Sequence, residues 1–122
     1  MKIALFGYGK MGKIVEKIAK NRGHEIICKI DKNSSHYDLN KVDIAIDFST
    51  PKSALSNINK ALENCIPIIS GTTGWTEQYN EAVKLCNEKN GAFLYASNFS
   101  LGVNIFFEIN RKLAKTMNNY KA

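Results

Sequence analysis

The sequence predicts an α/β fold, a doubly wound parallel sheet, on three observations. Short β-branched runs alternate with helical patterns along the whole chain. A glycine-rich turn directly joins the first strand to the first helix. Later strands end in loops of unusual composition rather than in hairpin turns. Five strands separated by helices call for right-handed crossovers, with helices on both faces of the sheet. At 122 residues, with no internal repeat and no linker, residues 1–122 form one domain.

Each element follows from the local pattern. Lys2-Ile3-Ala4-Leu5-Phe6 is a strand, closed by Gly7 and Gly9. From Met11 to about Asn21, Ile14, Val15, Ile18 and Ala19 give the i, i+3/i+4 stripe of a helix that stops near Gly23. Glu25 to Ile30 is the second strand, and Asp31 to Lys41 is polar and turn-like. Val42 to Phe48 is the third strand, alternating apolar residues with Asp43 and Asp47. Ser49-Thr50-Pro51 starts a helix, with proline in its first turn, that runs to about Asn64. Pro67 to Ser70 is the fourth strand. Thr76 caps a helix that reaches Asn90 and is ended by Gly91. Ala92 to Tyr95 is the fifth strand, and a long helix from about Leu101 to Met117 carries Phe106, Ile109, Leu113 and Met117 on one stripe.

Composition narrows the function class. Hydrophobic residues make up 44% and charged residues 23%, which excludes collagen-like, low-complexity and broadly disordered chains. No apolar run approaches the roughly 20 residues of a membrane-spanning helix. The start, Met1-Lys2-Ile3, reads as a strand and not as a signal peptide, so a cytoplasmic protein is expected. Cys28, Cys65 and Cys86 show no metal-ligand spacing and read as reduced, buried thiols. Of the net charge of +6, +5 lies in residues 1–32. These cations are not interleaved with aromatics as a single-strand nucleic-acid groove requires, and a small polyanionic ligand near the N-terminus accounts for them as well.

The sharpest motif is Gly7-Tyr8-Gly9-Lys10-Met11-Gly12, a G-x-G-x-x-G that leaves a strand and opens a helix. Gly7 permits the tight turn, Gly9 lets backbone approach a pyrophosphate, and Gly12 brings helix and strand together. The unsatisfied N–H groups at the helix start hold the anion. Asp31, 19 residues after Gly12, stands at the end of the second strand, where a carboxylate accepts from the adenosine ribose hydroxyls. Asp31 favours NAD, whereas Lys32 beside it partners the 2′-phosphate of NADP, with Lys10 or Lys13 to assist, so mixed use is expected. Ligands of such sheets lie at the carboxyl ends of the strands. Three loops sit there: Asp47-Phe48-Ser49-Thr50-Pro51, Gly71-Thr72-Thr73-Gly74-Trp75 and Ala96-Ser97-Asn98-Phe99-Ser100. Their hydroxyls, backbone donors and aromatic faces suit a nicotinamide ring and its carboxamide.

Taken in order and spacing, the glycine motif, Asp47-Phe48-Ser49-Thr50-Pro51, Gly71-Thr72-Thr73-Gly74 and Ser97-Asn98-Phe99-Ser100-Leu101-Gly102-Val103-Asn104 resemble the nucleotide-binding half of the dihydrodipicolinate (4-hydroxy-tetrahydrodipicolinate) reductases. The resemblance covers essentially the whole chain and implies a Rossmann-type domain. It implies that Gly7, Tyr8, Gly9, Lys10, Met11 and Gly12 hold the pyrophosphate, Asp31 the ribose and Lys32 a 2′-phosphate. It implies that Phe48 and Ser49 also bind the cofactor, that Gly71, Thr72 and Thr73 with Ala96, Ser97, Asn98 and Phe99 frame the nicotinamide, and that Thr73 also faces the substrate. The implied activity is NAD(P)H-dependent reduction of a cyclic imine dicarboxylate in lysine and diaminopimelate biosynthesis, with no metal, nucleic acid or membrane involved.

In that family the proton-donating histidine, its partner lysine and a Gly-Thr carboxylate-binding motif lie in a second, C-terminal domain. This chain is expected to stop about where that domain begins and to lack the segment that returns to finish the nucleotide domain. No catalytic residue is therefore expected in it; His24 and His36 fit neither role and read as exposed. The family's homotetramer forms through the second domain, so a monomer or weak dimer without turnover is expected here. The competing reading is a stand-alone NAD(P)-binding sensor. A sensor has no use for a nicotinamide-facing Gly71-Thr72-Thr73 loop and an Asn98-Phe99 pair, which favours the reductase half.

Overall fold

The computed structural model describes residues 1–31, 34, 37–118 and 120. The chain forms β1 (Lys2–Phe6), α1 (Lys10–Asn21), β2 (Glu25–Ile30), β3 (Ile44–Asp47), α2 (Pro51–Glu63), β4 (Ile68–Ser70), a 3₁₀ turn (Thr76–Gln78), α3 (Tyr79–Glu88), β5 (Phe93–Tyr95) and α4 (Leu101–Met117). All neighbouring strands run parallel, in the order β2-β1-β3-β4-β5. The chain winds outward from β1 in both directions, so the topological switch point lies between β1 and β3.

Strand alternation sends Ala4 and Phe6 to one face, where α2 and α3 cover them with Ala54, Ile58, Ala61, Leu62 and Ala82. Ile3 and Leu5 go to the other face, against Ala19 and Val15 of α1. On that second face Leu5, Ile46, Ile69 and Leu94 stand in register across four strands. Exposure along this row runs from 1% at Leu5 to 53% at Leu94. α4 has no buried residue, and its stripe of Phe106, Ile109, Leu113 and Met117 is exposed.

Three helices end in the same manner. After α1, α2 and α3 a residue takes positive φ (Gly23 at 76°, Cys65 at 58°, Asn90 at 49°), and the residue following it donates its N–H to a carbonyl five positions back. Asn90, rather than the expected Gly91, is therefore the left-handed stop of α3. Thr76 does not cap α3; it opens the 3₁₀ turn, in which the Gln78 N–H donates to the Trp75 carbonyl at 3.0 Å. Trp75 is fixed by its own burial among Tyr79, Phe93 and Tyr95, which draws the chain into that tighter turn. The third strand, Ile44–Asp47, is shorter than expected; just before it the Asp43 N–H still donates to the Lys2 carbonyl at 2.8 Å, while the Asp43 carboxylate, in place of a backbone carbonyl, accepts the Lys2 N–H at 2.7 Å.

The thiols are not all buried. Cys65 is exposed at its helix end, and Cys28 and Cys86 are half-buried. Burial, with the Asp38 charge adding to it, pushes the Cys28 thiol up. His24 is half-buried rather than exposed, its Nδ1 3.5 Å from the Met1 amino nitrogen. Among the described residues no helix is long and apolar enough to cross a membrane.

Candidate functional site

The carboxyl ends of the strands meet in one continuous line. The Gly7 N–H donates to the Ile30 carbonyl at 2.7 Å, tying β1 to β2, and the Phe48 N–H donates to the Phe6 carbonyl at 2.9 Å, tying β3 to β1. Gly7 has φ +87°, and a Cβ there would run into the Phe48 carbonyl and the Ser49 Cα. Only glycine meets both demands at the switch point. A Cβ on Gly12 would strike the Gly7 carbonyl, so helix and turn touch backbone to backbone. A Cβ on Gly9 would meet nothing within 4 Å. Gly9 is also the N-cap of α1, no side chain caps that helix, and its first turn holds no acidic residue. Its orphan N–H groups and positive dipole end are thus open beside Gly9.

Lys10 and Met11 are exposed on the first turn of α1. The Tyr8 side chain turns the other way. Its hydroxyl bonds the carboxylate of Glu16, and Lys29 lies over its ring at 4.5 Å and donates to its oxygen at 3.2 Å. Glu16 also pairs with Lys20 at 2.7 Å and Lys29 at 2.9 Å. The Lys20 bond, then those of Lys29 and Tyr8, hold the Glu16 carboxyl at about 2, below its ordinary 4.5, and Glu16 in turn raises Lys29. This cluster braces the glycine turn from behind; its only trace in the sequence is an acidic residue on a lysine-rich helix. Asp31 follows β2, with the Ser34 hydroxyl donating to its Oδ1 at 3.2 Å and accepting its N–H at 3.0 Å. Lys32, Asn33, Ser35 and His36 lie outside the described residues.

The loops after β3, β4 and β5 converge on Phe48. Gly71 lies so close that a Cβ would enter the Phe48 ring, and Phe99 meets that ring edge-on with centroids 6.4 Å apart. Behind them lies a hub that strand alternation alone did not expose. Asp47, fully buried, accepts from Ser70 Oγ at 2.8 Å, Thr72 Oγ1 at 2.7 Å and Asn57 Nδ2 at 3.1 Å. The same Asn57 nitrogen donates to Ser49 Oγ at 3.0 Å. Thr72 Oγ1 accepts the Ser49 N–H at 2.8 Å, its N–H reaches Ser70 Oγ at 3.4 Å, and its carbonyl accepts from Trp75 Nε1 at 2.7 Å. The Trp75 ring therefore belongs to the core and offers no face to a ligand.

Thr73 is exposed at the tip of the β4 loop. After β5, the Ala96 N–H donates to the Ser70 carbonyl at 3.3 Å. Ser97 and Phe99 are exposed, while Asn98 Oδ1 accepts the Ser100 N–H at 2.8 Å. Asn104, one turn into α4, donates to the carbonyls of Asn98 (3.0 Å) and Ser100 (2.8 Å) and fixes this loop's shape. His24 lies before β2, at the end of the sheet opposite the groove.

A parallel sheet wound outward from a glycine turn, with the strand ends gathered at the switch point, defines a Rossmann-type domain. The fold is shared with a putative homoserine dehydrogenase from Archaeoglobus fulgidus (TM-score 0.64, 14% identity, covering 78% of this chain and 42% of that one). It is shared also with a hyperthermophilic archaeal homoserine dehydrogenase in complex with NADPH (TM-score 0.61, 17% identity, covering 77% and 43%). Residues 1–99 match the family described as "Dihydrodipicolinate reductase, N-terminus", and the chain belongs to that family. The chain is 53% identical over 119 residues to the 4-hydroxy-tetrahydrodipicolinate reductase of Christiangramia forsetii. That alignment takes in 96% of this chain and 50% of the relative, so the chain spans half the length of the curated protein it matches.

Proposed function

We propose that the chain is the NAD(P)H-binding half of a reductase that delivers hydride to a cyclic imine dicarboxylate, 4-hydroxy-tetrahydrodipicolinate, in lysine and diaminopimelate biosynthesis. The observation that carries the reading is the switch point itself. Gly7 is pressed against Phe48 and Ser49, while Gly9 and the uncapped start of α1 stay open beside it. Bulk is excluded where backbones must touch, and space is left where a pyrophosphate would lie.

The residues present fit a dinucleotide. Gly7, Gly9, Lys10, Met11 and Gly12 would hold the pyrophosphate, with Tyr8 bracing their turn, Asp31 would take the adenosine ribose, and Lys32 would partner a 2′-phosphate. Phe48, Ser49, Gly71, Ala96, Ser97, Asn98 and Phe99 would frame the nicotinamide, with the buried Thr72 holding their loops from behind rather than meeting the ligand as expected, and Thr73 would also meet the substrate. When bound, the reduced nicotinamide supplies the hydride; this chain's residues bind it, orient it and shield it from water. A general acid for the imine nitrogen contributes about 10²- to 10⁴-fold in rate. His24, the one histidine among the described residues, stands away from the groove. This polypeptide alone is expected to bind cofactor without turnover, and as a monomer or weak dimer rather than a tetramer.

Isothermal titration with NADH and NADPH tests the binding reading: a folded sample that binds neither overturns it. Following NADH oxidation with enzymatically generated substrate, with light scattering on the same sample, tests the rest. Measurable turnover or a stable tetramer would show that the catalytic machinery has been misassigned.

A further inference from the structure

We infer that Thr72 is a positioning residue whose hydroxyl, held by Asp47, sets the spacing between the loops after β3 and β4 and so shapes the nicotinamide end of the groove; this rests on the dinucleotide reading above. Thr72 is 5% exposed, and its N–H, carbonyl and hydroxyl are all engaged within the protein. Its side chain is thus turned away from any ligand, although it lies in a loop whose neighbours, Gly71 and Thr73, border the groove.

The direction of each bond follows from the groups involved. The Asp47 carboxylate only accepts, so the Ser70 and Thr72 hydroxyls, at 2.8 and 2.7 Å from the same Oδ2, both donate to it. With its proton committed, the Thr72 oxygen presents lone pairs, and one of them accepts the Ser49 N–H at 2.8 Å. That bond is a rung between the β3 and β4 loops beyond the point where the strands stop pairing at Asp47 and Ser70. Asn57 closes the circuit from α2, donating to Asp47 Oδ1 and Ser49 Oγ. Ser49 in turn abuts Gly7, and Phe48 abuts Gly71 and Phe99. The Thr72 hydroxyl is therefore the link through which the buried carboxylate fixes the groove wall without touching a ligand.

The experiment compares two ligands, NADH and ADP-ribose, on wild type, Thr72→Val and Thr72→Ser by isothermal titration. ADP-ribose has the pyrophosphate and adenosine but no nicotinamide. Valine keeps the shape and removes the hydroxyl, leaving the Ser49 N–H without its acceptor; serine keeps the hydroxyl. NADH affinity is expected to fall about tenfold in Thr72→Val, which removes the hydroxyl's bonds to both Asp47 and the Ser49 N–H, with ADP-ribose affinity within about twofold of wild type and Thr72→Ser restoring NADH binding. Thr72→Ala, which removes the methyl that would face the carboxylate in the valine variant, must show the same split and serves if valine does not fold. Equal losses for both ligands, unchanged NADH binding in the valine and alanine variants, or failure of serine to restore it would overturn the inference. Wild type binding neither ligand would overturn the dinucleotide reading itself, and the inference with it.

Discussion

The two halves of the groove are held by opposite kinds of interaction. The glycine turn is braced by a cluster of charges open to water on one side: Glu16 between Lys20 and Lys29, with the Tyr8 hydroxyl at its centre. The loops after β3 and β4 are braced by a single carboxylate, Asp47, sealed from water and satisfied by neutral donors. Surface ion pairs are individually weak and are screened by salt, whereas a buried carboxylate stripped of its donors, or donors stripped of it, is costly. The brace behind the turn that would meet the pyrophosphate is thus sensitive to salt and pH, and the one behind the wall that would meet the nicotinamide is sealed from both.

Four perturbations break or sharpen that contrast. The largest effect is expected at the glycine turn. Gly9→Val fills the open space over the turn, and titration should detect no NADH or NADPH binding, although circular dichroism should still show a folded chain because a Cβ at this position meets nothing within 4 Å. On the buried side, Asp47→Ala leaves Ser70, Thr72 and Asn57 without their shared acceptor. Thermal or urea unfolding should show a loss of about 3 kcal/mol; a loss below about 1 kcal/mol would mean that Asp47 is not the hub.

The third perturbation is pH. The Glu16 carboxyl is held at about 2, below its ordinary 4.5, so its contribution to stability is complete above about 4.5 and is lost as pH falls towards 2. Wild type should therefore lose stability across that window more steeply than Glu16→Gln, and added salt should narrow the gap. Parallel acid limbs for the two proteins would remove Glu16 from the account. The smallest effect is expected at Lys32. A surface charge contact is worth on the order of 1 kcal/mol, so Lys32→Ala should weaken NADPH several-fold while leaving NADH nearly untouched. Equal losses would reduce Lys32 to a general surface charge.

What the sequence revealed was whatever depends on neighbours along the chain. The five strands, the glycine turn, Pro51 at the start of α2 and the stop after α1 at Gly23 are each set by backbone preferences within a few residues. What it hid depends on residues brought together from afar. Asp47 looked like the polar position of an alternating strand, yet Ala45 and Asp47 share the buried face while Ile44 and Ile46 face α1. Its burial becomes possible only when Asn57, Ser70 and Thr72 arrive with donors. Trp75 looked available to a ligand because its indole packs on Phe93 and Tyr95, about 20 positions later. Asn90 displaced Gly91 as the helix stop because the left-handed residue is fixed by where α3 ends, and a Cβ on Gly91 would crowd Leu62. The candidate residues themselves were legible as motifs; the supports that fix them were not.

The contact between Gly7 and Phe48 has a consequence for synthesis. β1 pairs with β3 through residues 41 positions apart, as Ile3 and Ile44 show, and no part of the groove is closed by a local hairpin. Closing so long a segment carries a loop entropy that must be met before any contact returns it. During synthesis the Gly7–Gly12 motif can meet β2 first, through the Gly7 bond to Ile30, but Gly7 gains its contacts with Phe48 and Ser49 only when the third strand follows. A nucleotide that used this groove would find it unformed until then, so its binding would follow the completion of the β1–β3 ladder and could not guide the steps before it.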